Sequence, residues 1–239
     1  MLKRNRFISL IPIYTMIPCI FLLVSIIGSQ TISAIGEASP FKPQHCIIID
    51  AGHGGIDGGA TSCTGVLESQ INLEIALRLD DLMHLLGMNT LMIRNTDTSV
   101  YTQGDSISAQ KVSDLKERVR IVNQTENAVL ISIHQNHFSD DKYDGAQVFY
   151  APNNESEMLA KELQTTIINT LNIGSKRMAK KADGIYLMQN IHCPGILFEC
   201  GFLSNPEEEA NLRSPDYQRK LCCVIASTIN ISLKRHTVS

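Results

Sequence analysis

Four side chains that could together form a hydrolytic metal site occur at the ends of apolar runs or at the start of a helical pattern. His53 follows the apolar run that ends at Asp50, His134 closes a second such run, Glu199 closes the last one, and Glu68 opens a helical pattern. Two imidazoles and one carboxylate leave the fourth position of a zinc ion open, as in catalytic sites. The other carboxylate could then move a proton between water and a leaving group. Spacing alone leaves open which glutamate binds the metal.

The pattern of apolar residues predicts the elements that would position these side chains. Short runs rich in β-branched residues alternate with segments of helical periodicity, which predicts one α/β domain. Its twisted, mostly parallel sheet would have about six strands with helices on both faces. The predicted strands are 46–50, 89–94, 128–134, 146–150, 185–188 and 195–199, and the predicted helices are 68–86, 114–123, 154–174, one from 206, and 215–234. Sites in such sheets form beyond the carboxyl ends of the strands, where the four side chains are expected to converge.

The first residues resemble a targeting segment. Lys3, Arg4 and Arg6 precede an apolar run from 7 to 28, about the 20 residues that span a bilayer. We expect 1–28 to be a signal or anchor segment, 29–44 a linker and 45–239 the catalytic domain, exported to the side opposite the basic end. The pattern fits a cleaved signal and a retained anchor equally.

Composition argues against several other classes of protein. A net charge of −3 and the absence of Trp disfavour nucleic-acid binding. The seven cysteines are odd in number and follow no CxxC spacing, which disfavours a disulfide framework. We expect most of them to be small buried residues.

Several segments resemble the signatures of zinc-dependent N-acetylmuramoyl-L-alanine amidases, the amidase-3 family. They are 48–55, Glu68 with Asn72, 132–136 and 198–205, within a resemblance that runs from about 46 to 233. The resemblance implies one zinc ion on His53, Glu68 and His134, and Glu199 as the catalytic base. It also implies hydrolysis of the peptidoglycan amide between the lactyl group of N-acetylmuramic acid and L-alanine.

The small size, the apolar N-terminal segment and the lack of a separate wall-binding domain resemble the germination-specific, spore-cortex branch of that family. This implies a role in cortex maturation leading to muramic-δ-lactam, in the cell wall or the forespore intermembrane space. No long helical insertion separates His134 from Glu199, so control by a protein partner is expected instead of a self-blocking plug. Arg94 and Asn136 are candidate substrate-binding residues, although Arg94 could simply pair with Asp97. Gln135 and His137 depart from the small residues common in this signature.

Three alternative functions can be weighed on the residues. A dinucleotide-binding loop is disfavoured because Asp57 stands where the third glycine of G-x-G-x-x-G belongs. A catalytically weak peptidoglycan-binding module that needs a partner remains an alternative, although all four site residues are present. A cysteine amidase is disfavoured because Cys200 should face away from Glu199 on an alternating strand and lie in the core.

Overall fold

The computed structural model describes residues 45–236, so the predictions for 1–28 and 29–44 concern residues outside the described part. The strands are β1 (Cys46–Ala51), β2 (Asn89–Met92), β3 (Ala128–Asn136), β4 (Gln147–Tyr150), β5 (Lys180–Lys181) and β6 (Gly195–Phe202). The helices are α1 (Glu68–Leu85), α2 (Ile107–Gln124), α3 (Asn154–Thr170), α4 (Tyr186–Asn190), α5 (Pro206–Leu212) and α6 (Pro215–His236). None of these helices has the length and apolar character needed to cross a membrane.

The strands form one sheet in the order β2-β1-β3-β6-β4-β5. The first four strands in this order are parallel, whereas β4 runs antiparallel to β6 and pairs with β5 in parallel. This confirms the predicted mostly parallel sheet. The carboxyl ends of β1, β3 and β6 therefore share one edge, together with the amino ends of β4 and β5.

Helices cover both faces of the sheet, which explains why its central strands are buried along almost their whole length and are mostly apolar. Alternate residues of β1 point to opposite sides: Ile47 and Ile49 pack in the core beneath α1, α3 and α6. Ile48 packs on the other side, in the core formed with residues of α2 and α4. Leu130 of β3 and Leu197 of β6 join Ile48 on that second face. The prediction of helices on both faces is confirmed.

One predicted strand was wrong, and one strand of the sheet was not predicted. Segment 185–188 was predicted as a strand, but it lies at the start of helix α4, where Leu187 and Met188 are buried against the sheet. A run this short cannot distinguish a buried strand from a buried helical turn. The sixth strand is instead β5, two exposed lysines at the sheet edge that carry no hydrophobic signal.

Helix α2 also begins earlier than predicted, at Ile107 instead of residue 114. The Ser106 hydroxyl accepts a hydrogen bond from the backbone N–H of Ala109, so it caps the helix. The extra turns place Lys111 over the loop that follows β1, where it contacts Asp57.

Candidate metal centre

The loop after β1 carries His53 toward the edge where β3 ends. His53 itself has a φ of 61°, a left-handed conformation that is uncommon for a residue with a side chain. A Cβ atom at Gly52 would lie 2.2 Å from Nε2 of His134, so only glycine lets the loop pass this close to the second histidine. The glycine at position 52 therefore allows the loop to bring His53 close to His134.

Glu68 lies between the two histidines at the first turn of α1. Its Oε1 is 3.0 Å from His134 Nδ1, and its Oε2 is 3.3 Å from His53 Nε2. The ligand atoms that the three side chains offer all lie within 4.8 Å of one another. Backbone N–H groups of Ala60 and Gln135 donate to the same carboxylate. The structure thus brings together the three residues predicted as zinc ligands, with their donor atoms facing one point.

Asp57 orients the His53 ring, a contact that the sequence analysis did not predict. Its Oδ2 lies 2.8 Å from His53 Nδ1, and its Oδ1 lies 2.7 Å from Nζ of Lys111. An ionised carboxylate can only accept, so Nδ1 of His53 carries a proton that it donates to Asp57, and Nε2 is the nitrogen that could bind a metal in place of its own proton. The sequence feature that could have predicted this contact is a carboxylate four residues after a histidine in a Gly-rich loop.

The electrostatics of this cluster favour a positive charge at its centre. Burial lowers the pKa of His53, but hydrogen bonds with Glu68 and Asp57 outweigh burial and raise it to about 9. Burial opposes ionisation of Glu68, yet His134 and His53 hold its pKa well below the usual range. Carboxylates that stabilise an imidazolium this strongly would also stabilise a divalent cation held by the same atoms. Two imidazoles and one carboxylate suit zinc.

Glu199 faces the cluster from the neighbouring strand. It is directly opposite His134 in the parallel pairing of β3 with β6. Its Oε2 is buried and has no hydrogen-bond partner among the described residues. Burial raises the pKa of Glu199 to about 7, and the charge of Glu68 adds to this effect whereas the two histidines oppose it. A buried carboxylate without a partner, poised near neutral pH, is suited to proton transfer.

Two buried guanidinium groups hold the backbone of the His53 loop. Arg118 of α2 forms an ion pair with Asp50, and its Nη2 donates to the carbonyl of His53 at 2.8 Å. Arg94, only 3% exposed, was predicted as a substrate-binding residue. Its donors instead reach the backbone carbonyls of Ala51, Gly52, Ser69 and Thr96. These contacts give Arg94 a role in fixing the loop and leave it little surface for a substrate.

The remaining predicted residues lie near this edge or in the core. Asp97 accepts from the backbone N–H of Gly55 at 3.0 Å and forms no direct ion pair with Arg94 within the described residues, although its charge raises the pKa of Arg94 against the larger effect of burial. Asn136 ends β3, and its Oδ1 accepts from the His137 backbone N–H, whereas its amide NH₂ has no hydrogen-bond partner within residues 45–236. Cys200 is fully buried, and burial raises the pKa of its thiol well above the ordinary value. A buried neutral thiol is a poor nucleophile, as expected for a core residue.

Comparisons with known proteins assign the chain to a family. The Amidase_3 family, described as N-acetylmuramoyl-L-alanine amidase, matches residues 47–230. The match covers most of the chain, and the chain belongs to this family of enzymes, which hydrolyse an amide of peptidoglycan.

Several members of this family are similar to the chain over most of its length. The chain is 41% identical over 192 residues to the germination-specific N-acetylmuramoyl-L-alanine amidase of Bacillus subtilis, a match that covers 80% of this chain and 78% of that protein. Among solved structures it is similar to the CwlD amidase of Clostridioides difficile, determined in complex with the GerS lipoprotein. That match has a TM-score of 0.76 and 35% identity, and it covers 80% of this chain and 99% of the other. The AmiC2 amidase of Nostoc punctiforme matches with a TM-score of 0.69 and 27% identity over 80% of this chain and 97% of its own.

Proposed function

We propose that this chain is a zinc-dependent amidase that cleaves the bond between the lactyl group of N-acetylmuramic acid and L-alanine. His53, Glu68 and His134 would hold the zinc ion, and Glu199 would act as the base. The observation that carries this proposal is the convergence of three ligand atoms within 4.8 Å, with an unpartnered carboxylate on the adjacent strand. This arrangement is a metal site with a base beside it.

Several residues of the chain would have different roles in the reaction. When bound, zinc supplies a Lewis acid that polarises the scissile carbonyl and lowers the pKa of water. Glu199 accepts the proton of the attacking water and returns it to the leaving nitrogen of L-alanine. Asp57 keeps the proton of His53 on Nδ1, so Nε2 stays free to bind the metal. Asn136 is suited to donate its amide N–H to a substrate carbonyl.

The relatives support a proposal for the biological setting. The likeness to the germination-specific amidase of Bacillus subtilis supports a role in spore-cortex maturation, where removal of stem peptides prepares muramic acid for conversion to muramic-δ-lactam. The complex of the similar CwlD amidase with the GerS lipoprotein supports a protein partner for this chain also. Action on peptidoglycan requires export, which agrees with the basic and apolar pattern of residues 1–28.

The direct test combines metal analysis with product analysis. Purified protein should contain close to one zinc ion per chain, and it should release free L-alanine amino groups from peptidoglycan fragments. A chelator should abolish the release, and added zinc should restore it. Bound zinc without new amino groups, even when candidate partners are added, would instead favour a binding module. Amidase activity that a chelator leaves unchanged would contradict the metal-dependent mechanism.

A further inference from the structure

Three aromatic rings lie together just beyond the site, and we refer to Phe138, Tyr143 and Phe202 as the aromatic platform. The ring centroids of Phe138 and Tyr143 are 5.1 Å apart, and those of Phe138 and Phe202 are 5.7 Å apart. Phe202 is buried, whereas Phe138 is 50% exposed and Tyr143 is 41% exposed. The buried ring therefore supports two rings that remain accessible to a ligand.

The loop that carries the two exposed rings is firmly anchored. Phe138 donates its backbone N–H to Ser204 Oγ, and Asn205 donates to the carbonyls of Asp141 and Tyr143. Gly145 donates to Glu208 at 2.8 Å, and Arg177 donates to the carbonyl of Asp144 at 2.8 Å. A loop held at so many points presents its aromatic side chains in a fixed arrangement. Fixed rings lose little conformational entropy when a ligand binds.

The platform continues the two strands that carry the site. Phe202 pairs with Asn136 and Glu199 pairs with His134, with a register shift between the two pairs. Because three steps of β6 face two steps of β3 there, Phe202 lies about 7–10 Å beyond Glu199 at about 3.3 Å per residue. When the amide of a muramic acid lies at Glu199, one of the two directions in which its glycan can extend passes over this surface.

The chemistry of the platform suits a sugar ring. A pyranose has a face of C–H groups that stacks on an aromatic ring, and a rim of hydroxyl groups that need polar partners. Cationic side chains border the rings: Lys142 Nζ lies 5.3 Å from the Tyr143 centroid, and the Arg177 guanidinium lies 4.8 Å from that of Phe202. They can donate hydrogen bonds to hydroxyl or N-acetyl oxygens.

We propose that Phe138 and Tyr143 form a glycan subsite, which stacks against the N-acetylhexosamine next to the muramic acid whose amide is cleaved. This inference rests on the proposed function for the identity of the glycan. The two rings thereby set a preference for glycan chains over isolated muramoyl-peptides.

Variants that keep or lose the ring test the proposal. Phe138→Leu and Tyr143→Leu retain apolar volume without a ring, whereas Phe138→Tyr and Tyr143→Phe retain the ring. With peptide-bearing glycan chains as substrate, each leucine variant should raise KM about 3- to 10-fold, the size expected for one aromatic stacking contact. The ring-retaining variants should stay within about twofold of the parent. With a single N-acetylmuramoyl-peptide as substrate, which lacks the neighbouring sugar, the leucine variants should raise KM less than they do with glycan chains.

Matched controls separate stacking from other roles. Tyr186, also 40% exposed but beyond the opposite edge of the sheet, provides Tyr186→Leu, which should leave KM for chains unchanged. Thermal melting and zinc content identify any variant that fails to fold. If the parent cleaves chains and the leucine variants keep its KM, the subsite proposal is overturned while the amidase function stands. An equal rise for leucine and ring-retaining variants would also overturn it, since a feature other than the aromatic ring would be responsible.

A binding assay keeps the subsite testable apart from catalysis. Co-sedimentation with glycan chains freed of stem peptides should be weakened by the leucine variants. If the parent released no amino groups from either substrate, the proposed function would fail, and this assay would still decide on the subsite. Loss of binding to a protein partner, with glycan binding retained, would reassign the platform to a protein interface.

Discussion

Substitution of Asp57 by asparagine should weaken zinc binding although Asp57 does not belong to the ligand cluster. In the structure, Oδ2 accepts from His53 Nδ1 at 2.8 Å, while Oδ1 accepts from Lys111 Nζ at 2.7 Å and from the Gly59 N–H at 3.3 Å. Asparagine has one acceptor oxygen and one NH₂ donor in place of these two oxygens. The oxygen should face the cationic Lys111 and the Gly59 N–H, because an NH₂ there would oppose two donors. The NH₂ group then faces His53.

This arrangement changes the tautomer of His53. Nδ1 must accept from the asparagine NH₂, so the ring proton moves to Nε2, the nitrogen that lies 3.3 Å from Glu68 Oε2. A protonated Nε2 cannot bind a metal until the ring or the amide rearranges. Loss of such an orienting carboxylate typically costs about 10- to 100-fold in metal affinity. This range corresponds to about 1.4–2.7 kcal/mol. We therefore expect the zinc dissociation constant of Asp57→Asn to rise by this factor.

The assay is a competition titration with a chromophoric zinc chelator. Lys111→Met provides the informative second variant, because in Asp57→Asn/Lys111→Met the amide can turn its oxygen toward His53. The double variant should regain part of the lost affinity. Lys111→Met alone should have only a small effect, since exposed ion pairs contribute about 0–1 kcal/mol. Lys116→Met, an exposed lysine on the same helix, is the control. An Asp57→Asn affinity within twofold of the parent would refute the tautomer argument.

Further predictions concern the ligands, the base and the buried ion pair. His134→Ala should abolish zinc binding, measured by metal analysis, while His137→Ala, which alters an exposed neighbour outside the cluster, should bind zinc as the parent does. Glu199→Gln should keep zinc but lose about 10²-fold or more in kcat, the scale of a lost general base; turnover equal to the parent would remove Glu199 from that role. Because Glu199 must be ionised to act, kcat/KM should fall as pH decreases through its pKa, which burial raises to about 7 and a bound cation would lower from there; a profile that stays flat from pH 8 down to about 4, the ordinary glutamate range, would contradict this. Arg118→Met should destabilise the fold by about 3–5 kcal/mol in chemical unfolding, since it leaves the Asp50 carboxylate buried and unpaired.

The positions of the four site residues were largely predictable from the sequence, and the reason lies in strand geometry. Apolar runs ending at Asp50, His134 and Glu199 identified parallel strands, and parallel strands end at a common edge. This rule was sufficient to place both histidines and both glutamates near one another. It did not decide which glutamate would bind the metal. In the structure the two glutamates have different contacts. Glu68 contacts both imidazoles, whereas Glu199 has a buried oxygen without a hydrogen-bond partner among the described residues.

The contacts of the loops were not predictable in the same way. Lys111 lies 54 positions from Asp57 in the sequence, and no periodicity links the two; only the packing of α2 over the loop brings them to 2.7 Å. Arg94 could be placed at the end of β2, but its side-chain direction depends on carbonyls from several segments. Strand β5 was missed because two exposed lysines show neither alternation nor apolar character. Sequence patterns report burial, and these features depend on hydrogen bonds between distant polar groups.

The contrast between strands and loop has a consequence for the metal centre. His134 and Glu199 are paired on hydrogen-bonded neighbouring strands, just before a register shift, so the pairing of the two strands fixes their separation. His53 stands on a loop in a left-handed conformation, held by Arg118 through its carbonyl and by Asp57 through its ring. The spacing between base and strand ligand is therefore robust to substitutions in the loop, whereas the position and tautomer of His53 are not. Changes in the loop should act mainly on metal affinity, and the turnover of the loaded enzyme should respond mainly to changes on β3 and β6.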